Sequence, residues 1–199
     1  MTVAKTAAKK LNTVRINAGI WRSRLIKFPD AEGLRPTPER VRQTVFNWLG
    51  QDLTGQSCLD LFAGTGVMGF EALSRGAAAV TLVENSSAAC VALQANKALL
   101  KTAAASIMQQ DALQFLAQNS QKFQLVFLDP PYNKAWLAQV LPQLAAHLHA
   151  DGRVYVEAEF SLDAAQQAGS QPFLAGWQVL KQSKAGNVFY HLLKLAKNE

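Results

Sequence analysis

Only two cysteines occur in the 199 residues, Cys58 and Cys90, each inside an apolar segment. That scarcity excludes a disulfide-stapled scaffold, and the pair reads as buried free thiols in a reducing compartment. Long hydrophobic runs are also missing, since none approaches the roughly 20 residues a membrane helix needs. The opening stretch MTVAKTAAKK lacks the apolar centre of a signal peptide, so the expectation is a cytoplasmic protein with no membrane partner. Histidine is sparse, and His147, His149 and His191 show no metal-ligand spacing, so no metal is expected. Internal repeats and low-complexity linkers are lacking; the first ten residues alone read as disordered. What remains, 49% hydrophobic and 17% charged, is the composition of a soluble globular protein with chain enough for one substantial core.

Acidic residues are few in the first 50 positions. Asp30, Glu32 and Glu39 stand there against ten lysines and arginines, a net of +7, while the other 149 residues carry ten basic groups against eleven acidic ones. One quarter of the chain thus holds the entire positive excess. A basic segment joined to a near-neutral body suggests an anionic partner, nucleic acid before membrane, because no amphipathic membrane helix is visible. A plain solvated surface would give the same count, so charge alone does not decide.

Periodicity divides the chain near residue 50. In TVRINAGIWRSRLIKF, two short strands flank Asn17-Ala18-Gly19, a hairpin signal. LRPTPERVRQTVFNWLG then reads as a helix capped by Thr37, with Pro38 in the first turn, Val41, Val45 and Trp48 on one face and Gly50 at its end. From Ser57 onward strands and helices alternate. CLDLF, AVTLVE, ASIMQQ, FQLVFLD and GRVYVEAE are strand candidates, with helices at 66–75, 87–101, 112–119 and 135–147, the last kinked or divided by Pro142. Short, nearly continuous apolar strands separated by helices predict an α/β fold with a parallel sheet covered on both faces. The end differs: WQVLKQSKAGNVFYHLLKL predicts an antiparallel hairpin turning at Ala185-Gly186-Asn187. The expected division is a basic extension over residues 1–50, made of hairpin and helix, followed by a ligand-binding domain over 51–199.

In such a sheet ligands bind beyond the carboxyl ends of the strands. The first end carries LDLFAGTGVMG, formally GxGxxG over Gly64, Gly66 and Gly69, and Glu84 ends the next strand twenty residues after Gly64. Glycines admit a cofactor close to the backbone, and a carboxylate can accept both ribose hydroxyl protons. Glycines also make turns that bind nothing, so this match alone is weak. Asp60 lies inside the strand, four residues before Gly64, where it suits an ammonium group better than a pyrophosphate. The pattern therefore fits a sulfonium amino-acid nucleoside better than NAD. At the third strand end, Asp111 can accept from an adenine amino group, and it can equally cap the following helix.

The fourth strand ends VFLDPPYN. For a planar base with an exocyclic amine, Asp129 and the carbonyl of Pro130 can each accept one N–H, which fixes the nitrogen toward an electrophilic methyl group. Pro130 and Pro131 stiffen the turn, and proline offers a carbonyl without a donor to satisfy. Tyr132 can stack on the base, a contact worth about 1–3 kcal/mol. Positioning supplies much of the rate when the methyl donor is already activated.

Together these residues resemble the class I S-adenosylmethionine-dependent methyltransferases that modify exocyclic amines. The resemblance implies a Rossmann-like sheet of seven strands, mostly parallel, with the last strand antiparallel. RINAGIWRSRLIKFP, GLRPTPERVRQTVFNWL, CLDLFAGTGVMGFEALSRGA and VFLDPPY are similar to the RsmD family of bacterial 16S ribosomal RNA guanine-N2 methyltransferases, over nearly the whole chain. That likeness implies methylation of the guanine numbered 966 in the small-subunit RNA, in the assembled subunit rather than naked RNA, and a monomeric enzyme is expected. It assigns S-adenosylmethionine to Asp60, Phe62, Ala63, Gly64, Thr65 and Gly66, its ribose to Glu84 and its adenine to Asp111. The amine clamp becomes Asp129, Pro130, Pro131 and Tyr132, while Arg22, Arg24, Arg35, Arg40 and Arg42 face RNA, with Arg35 also suited to bracing the catalytic loop. Ala18-Gly19 stands where the family often has two glycines, and Ser23 where a glycine often separates the arginines. Trp21 is expected to pack beneath the hairpin, and Trp48, Trp136 and Trp177 in the core.

Rival readings fit less of the chain. A NAD-dependent oxidoreductase explains the glycines and Glu84 but leaves DPPY and the basic front unused. A non-catalytic RNA-binding module explains the basic front but leaves the cofactor pattern unused. A DNA adenine-N6 or cytosine-N4 methyltransferase shares the clamp, because each of these bases offers an amine.

Overall fold

The structure is a computed structural model that describes residues 11–132 and 134–196. The disordered stretch expected over the first ten residues, with Lys5, Lys9 and Lys10, lies outside the described residues. Alternating apolar strands have found the expected arrangement. β3 (Ser57–Asp60), β4 (Ala79–Glu84), β5 (Ala105–Gln109), β6 (Phe123–Leu128) and β7 (Leu148–Ala158) pair in parallel in the order β5-β4-β3-β6-β7. β9 (Val188–Leu195) adds antiparallel to β7, and β8 (Trp177–Ala185) pairs antiparallel with β9 at the far edge. The terminal hairpin turns at Gly186 and Asn187, as the local sequence predicts. The sheet therefore has seven strands, of which the last in sequence runs against the other six.

Each face of the sheet carries its own core because side chains alternate along a strand. Cys58, Val80, Leu82, Leu125, Phe127 and Tyr155 point to one side, where α1 (Glu39–Leu49), α2 (Val67–Ser74) and α3 (Ser87–Leu99) supply Phe46, Phe70 and Leu93. Leu59, Val83, Val126, Leu128, Val154 and Val156 point to the other, against α4 (Ala112–Gln118), α5 (Trp136–Leu144) and α6 (Leu162–Gln167). Both cysteines are buried and free. Pro142 sits within α5 without dividing it; the helix tightens into a 3₁₀ turn only at Ala145–His147.

β1 (Leu11–Arg15) and β2 (Leu25–Pro29) form the expected antiparallel pair, but not through a tight turn at Asn17-Ala18-Gly19. Nine residues, 16–24, join them: Ile16 and Arg24 extend the pairing, with Ile16 N–H donating to the Arg24 carbonyl at 2.9 Å, and the loop beyond is moulded onto the last turn of α2. Ile20 donates its N–H to the Ser74 carbonyl at 2.8 Å, Trp21 donates to Ser74 Oγ at 2.9 Å, and Ser74 Oγ donates to the Ala18 carbonyl at 2.5 Å. Gly19 is required at this contact: its φ is 80°, and a Cβ would lie 1.7 Å from the Ser74 carbonyl oxygen. Ser23 also holds a positive φ, 70°, a conformation that a glycine would adopt at no steric cost. Trp21 packs half-buried beneath the hairpin, as expected.

Thr37 does not cap α1. Pro38 occupies the cap position, with no side-chain cap bond, and Gly50 ends the helix with φ 99°. Ile16, Ile26, Val41, Val45, Phe46 and Leu49 belong to the same buried cluster as Cys58, Phe127 and Tyr155, so the N-terminal elements and the sheet share one core.

Candidate active site

The parallel sheet reverses direction of assembly at β3: β4 and β5 lie on one side of it, β6 and β7 on the other. At such a switch point the strand ends diverge and leave a crevice. A cleft of about 810 Å³ opens there, within the range of small-molecule sites. Asp60, Phe62, Ala63, Gly64, Thr65, Glu84, Asp111, Asp129, Pro130, Pro131 and Tyr132, eleven of the twelve cofactor and clamp candidates, line it. The twelfth, Gly66, makes the turn beneath them with φ 76°, and a Cβ there would fall 2.4 Å from the Leu93 side chain.

One end of the cleft is built from backbone and carboxylates. Gly64 N–H donates to Glu84 Oε2 at 2.8 Å and Ser86 N–H donates to Glu84 Oε1 at 2.7 Å, so Glu84 ties the β3–α2 turn to the end of β4. Asp111 caps α4, accepting from Leu113 N–H at 2.8 Å and Gln114 N–H at 3.2 Å through Oδ1. Asp60 is 5% exposed and accepts the Gly69 N–H at 3.1 Å. Burial pushes its pKa up to about 7, against that hydrogen bond and with the charge of Glu84 adding to the rise. A buried carboxylate favours a cationic ligand. Carboxylates at three successive strand ends beside a glycine turn match the ammonium, ribose and adenine of S-adenosylmethionine, so the residues present fit that group.

The other end carries the residues expected to clamp an amine. Asp129 leaves β6 half-buried, Pro130 is buried, and Tyr132 stands 41% exposed at the rim. Burial raises the pKa of Asp129 well above the ordinary carboxylate range, and the charges of Glu157 and Asp60 raise it further. Phe62 meets Trp136 edge to face, with ring centroids 5.2 Å apart, so Trp136 lines the cleft and is only half-buried, not the core residue expected. Trp48 is likewise half-buried and stacks on Tyr190 at 5.4 Å, while Trp177 is buried.

Sequence reasoning missed Glu157 and Thr37. Glu157, 6% exposed at the end of β7, accepts from the Tyr155 hydroxyl at 2.6 Å and is hydrogen-bonded to the side chains of Tyr132 and Thr37. A signal was available: in VYVEA an acid, Glu157, interrupts an apolar strand beside the one that ends in Asp129.

The arginines separate. Arg35 is exposed and lines the cleft, and Arg40 is exposed on the first turn of α1. Arg22 and Arg24 are exposed, yet they lie in the 16–24 loop rather than on one face of a strand. Arg42, expected to face RNA, does not face solvent at all. It is 1% exposed, donates from NH1 to Glu71 Oε2 at 2.7 Å and from Nε to the Thr37 carbonyl at 3.1 Å. Glu71, itself fully buried, also takes Arg75 at 2.7 Å and the Asn17 N–H at 3.0 Å. A buried carboxylate needs paired charge, and that need draws Arg42 inward.

With this geometry in view, the relatives are informative. The family model described as conserved hypothetical protein 95 matches residues 14–194. Ribosomal RNA small subunit methyltransferase D of Escherichia coli is 39% identical over 181 residues, covering 90% of this chain and 88% of that protein. The solved structure of yhhF from Escherichia coli superposes with a TM-score of 0.80 at 36% identity, over 92% of this chain and 98% of that one. Precorrin-6y C5,15-methyltransferase of Geobacter metallireducens, at 17% identity and a TM-score of 0.64 over 83% of this chain and 92% of that one, shares the fold. A model spanning the sheet and the hairpin, and a relative that matches across both, place the chain in the conserved hypothetical protein 95 family, the RsmD family, among the class I methyltransferases.

Proposed function

We propose that the protein transfers a methyl group from S-adenosylmethionine to the exocyclic N2 of a guanine in 16S ribosomal RNA, at the position numbered 966 by family resemblance, within the small ribosomal subunit. The observation that carries this reading is the meeting of Asp60 and the Asp129–Pro130 clamp in one cleft at adjacent strand ends, in a chain 39% identical to ribosomal RNA small subunit methyltransferase D. Asp60, the 62–66 turn, Glu84 and Asp111 would hold S-adenosylmethionine. Bound there, it supplies an activated methyl group on a sulfonium.

The remaining work falls to the chain. Asp129 and the Pro130 carbonyl hold the amine by its two N–H bonds, which orients the nitrogen lone pair and excludes rotation. The raised proton affinity of Asp129 suits it to take the proton that the nitrogen sheds as the new N–C bond forms. Tyr132 stacks on the base from the rim. Residues 1–50 act as the docking extension, with Arg22, Arg24, Arg35 and Arg40 meeting phosphates, and the reaction belongs in the cytoplasm, where small subunits are assembled.

The test is incubation with methyl-labelled S-adenosylmethionine and small subunits that lack the modification, followed by mapping of the labelled nucleotide. Asp129→Ala should abolish transfer while cofactor affinity changes little. Label on adenine or cytosine, or on DNA in preference to the subunit, would replace this reading with its nearest rival.

A further inference from the structure

The parallel pairing of β6 and β7 sets Leu128 beside Val156. The next residues, Asp129 just past the end of β6 and Glu157 still within β7 and paired with Tyr190 of β9, therefore stand side by side on chains about 4.8 Å apart. Alternation turns both side chains to the same face. Two residues earlier on each strand, Phe127 and Tyr155 meet with ring centroids 6.3 Å apart, and the Tyr155 hydroxyl reaches Glu157. Both acids line the cleft.

Glu157 is expensive to keep where it is, a carboxylate 6% exposed in an apolar strand. Among the described residues, the buried ion pairs go to Glu71 instead. Glu157 is held by the side chains of Tyr155, Tyr132 and Thr37, whose hydrogen bonds oppose the rise that burial imposes on its pKa. An ionised carboxylate has about four acceptor sites. Three internal partners fix its orientation and leave capacity for a ligand.

Resting on the guanine-N2 reading above, we infer that Glu157 is the residue that recognises the base, its carboxylate accepting the guanine N1–H while Asp129 and Pro130 hold the neighbouring N2 amine. Guanine presents these donors side by side on one edge. Adenine and cytosine carry an unprotonated ring nitrogen beside their amine, so the same carboxylate would confront a lone pair. A site built to accept a hydrogen bond rejects an analogue that cannot donate one far more strongly than an apolar pocket rejects a misfit. The clamp alone cannot make this choice, because every candidate base offers it an amine. Glu157 supplies the discrimination.

The test uses 2-aminopurine, which keeps the 2-amine but has an acceptor at N1. Small subunits reconstituted with guanine or 2-aminopurine at the mapped position are methylated in single turnover, with enzyme in excess, by the wild type, Glu157→Gln and Glu157→Ala. The quantity read is the ratio of the two rate constants at subsaturating substrate, which does not depend on the fraction of enzyme that is folded. 2-Aminopurine also lacks O6, but that loss is common to all three enzymes and cancels between them. The preference for guanine should fall at least tenfold in Glu157→Ala and by a smaller factor in Glu157→Gln, whose amide oxygen is a weaker acceptor. Equal losses on both substrates, with the ratio unchanged, would mean that Glu157 only props Tyr132 and would overturn the inference while leaving the guanine-N2 reading intact. Wild-type methylation at any atom other than guanine N2 would overturn both.

Discussion

Asp60 shows how a single buried charge couples binding to pH. Burial holds its pKa at about 7, so near neutrality a substantial part of the free protein carries a proton there. A cationic ligand favours the ionised form and pulls that pKa down. Binding of S-adenosylmethionine should therefore release protons near pH 7, and its affinity should rise with pH through about 7 and level off above. Calorimetry in two buffers of different ionisation enthalpy reads the release directly. In Asp60→Asn the release should vanish and binding should weaken by about 1.5–3 kcal/mol, the worth of a hydrogen bond to a charged group. Binding without net proton exchange near neutrality would remove Asp60 from contact with the ligand's charge.

At the scale of elements, the hairpin and α1 hold their arginines in two settings, buried and exposed, that can be tested apart. α1 turns Arg42 inward to Glu71 and leaves Arg40 outside. Breaking a buried ion pair costs about 3–5 kcal/mol, and retention of the Arg75 contact to Glu71 keeps this case near the lower end. Arg42→Ala should thus lower the melting temperature by on the order of 10 °C, given about 2–4 °C per kcal/mol for a chain of this size. Arg40→Ala should change it little, since exposed substitutions stay within about 0.5 kcal/mol. Thermal denaturation of the two variants side by side decides this, and equal shifts would contradict the structure. On the 16–24 loop, Arg22 and Arg24 stand exposed, Arg24 also donating to the Leu99 carbonyl at 3.4 Å. Arginine's planar fork can grip phosphate oxygens at two points. A double Arg22→Ala, Arg24→Ala variant should bind small subunits more weakly. The slope of log affinity against log salt should shrink by about 0.7–0.9 for each phosphate the variant no longer grips. Its S-adenosylmethionine affinity and melting temperature should remain near wild type. An unchanged salt slope would take these arginines out of the RNA interface.

For the whole molecule, the site is a source of instability. Asp60, Asp129 and Glu157 project from β3, β6 and β7 to one face, and burial raises the pKa of each. A folded state whose carboxylates hold protons that the unfolded chain would release loses stability as pH rises. For Asp60 the window runs from the ordinary carboxylate value near 4 to about 7. The melting temperature should therefore decline across that interval, and Asp60→Asn should flatten the decline and exceed the wild type at neutral pH, even as it loses cofactor affinity. A steeper decline in the variant would show that the carboxylate stabilises the fold. Such a trade of stability for function is common where charges must be kept in place for a ligand.

Much of this architecture is legible in the chain because it depends on near neighbours. Alternation and turn residues mark the parallel strands and the final hairpin, and the rule that ligands sit at strand ends singles out Asp60, Glu84, Asp111 and Asp129, all of which line the cleft. Periodicity could not show that Arg42 is buried, since its partner Glu71 lies 29 residues away and the charge pattern of α1 reads equally well as solvated. The loop at 16–24 has the sequence of a tight turn, but its shape is imposed by Ser74, more than 50 residues on. Thr37 looks like a cap by position but bonds to Glu157 across the cleft. The sequence by itself determined the order of the sheet strands and of the helices between the parallel ones, the glycine turn and the rigid turn at Asp129–Tyr132, because backbone geometry and side-chain period act over a few residues; the short α6, which it did not mark, forms against the end of the sheet. Tertiary structure alone decided which charges are buried and which acids stand side by side, because desolvation and strand register are set by residues brought together from distant parts of the chain.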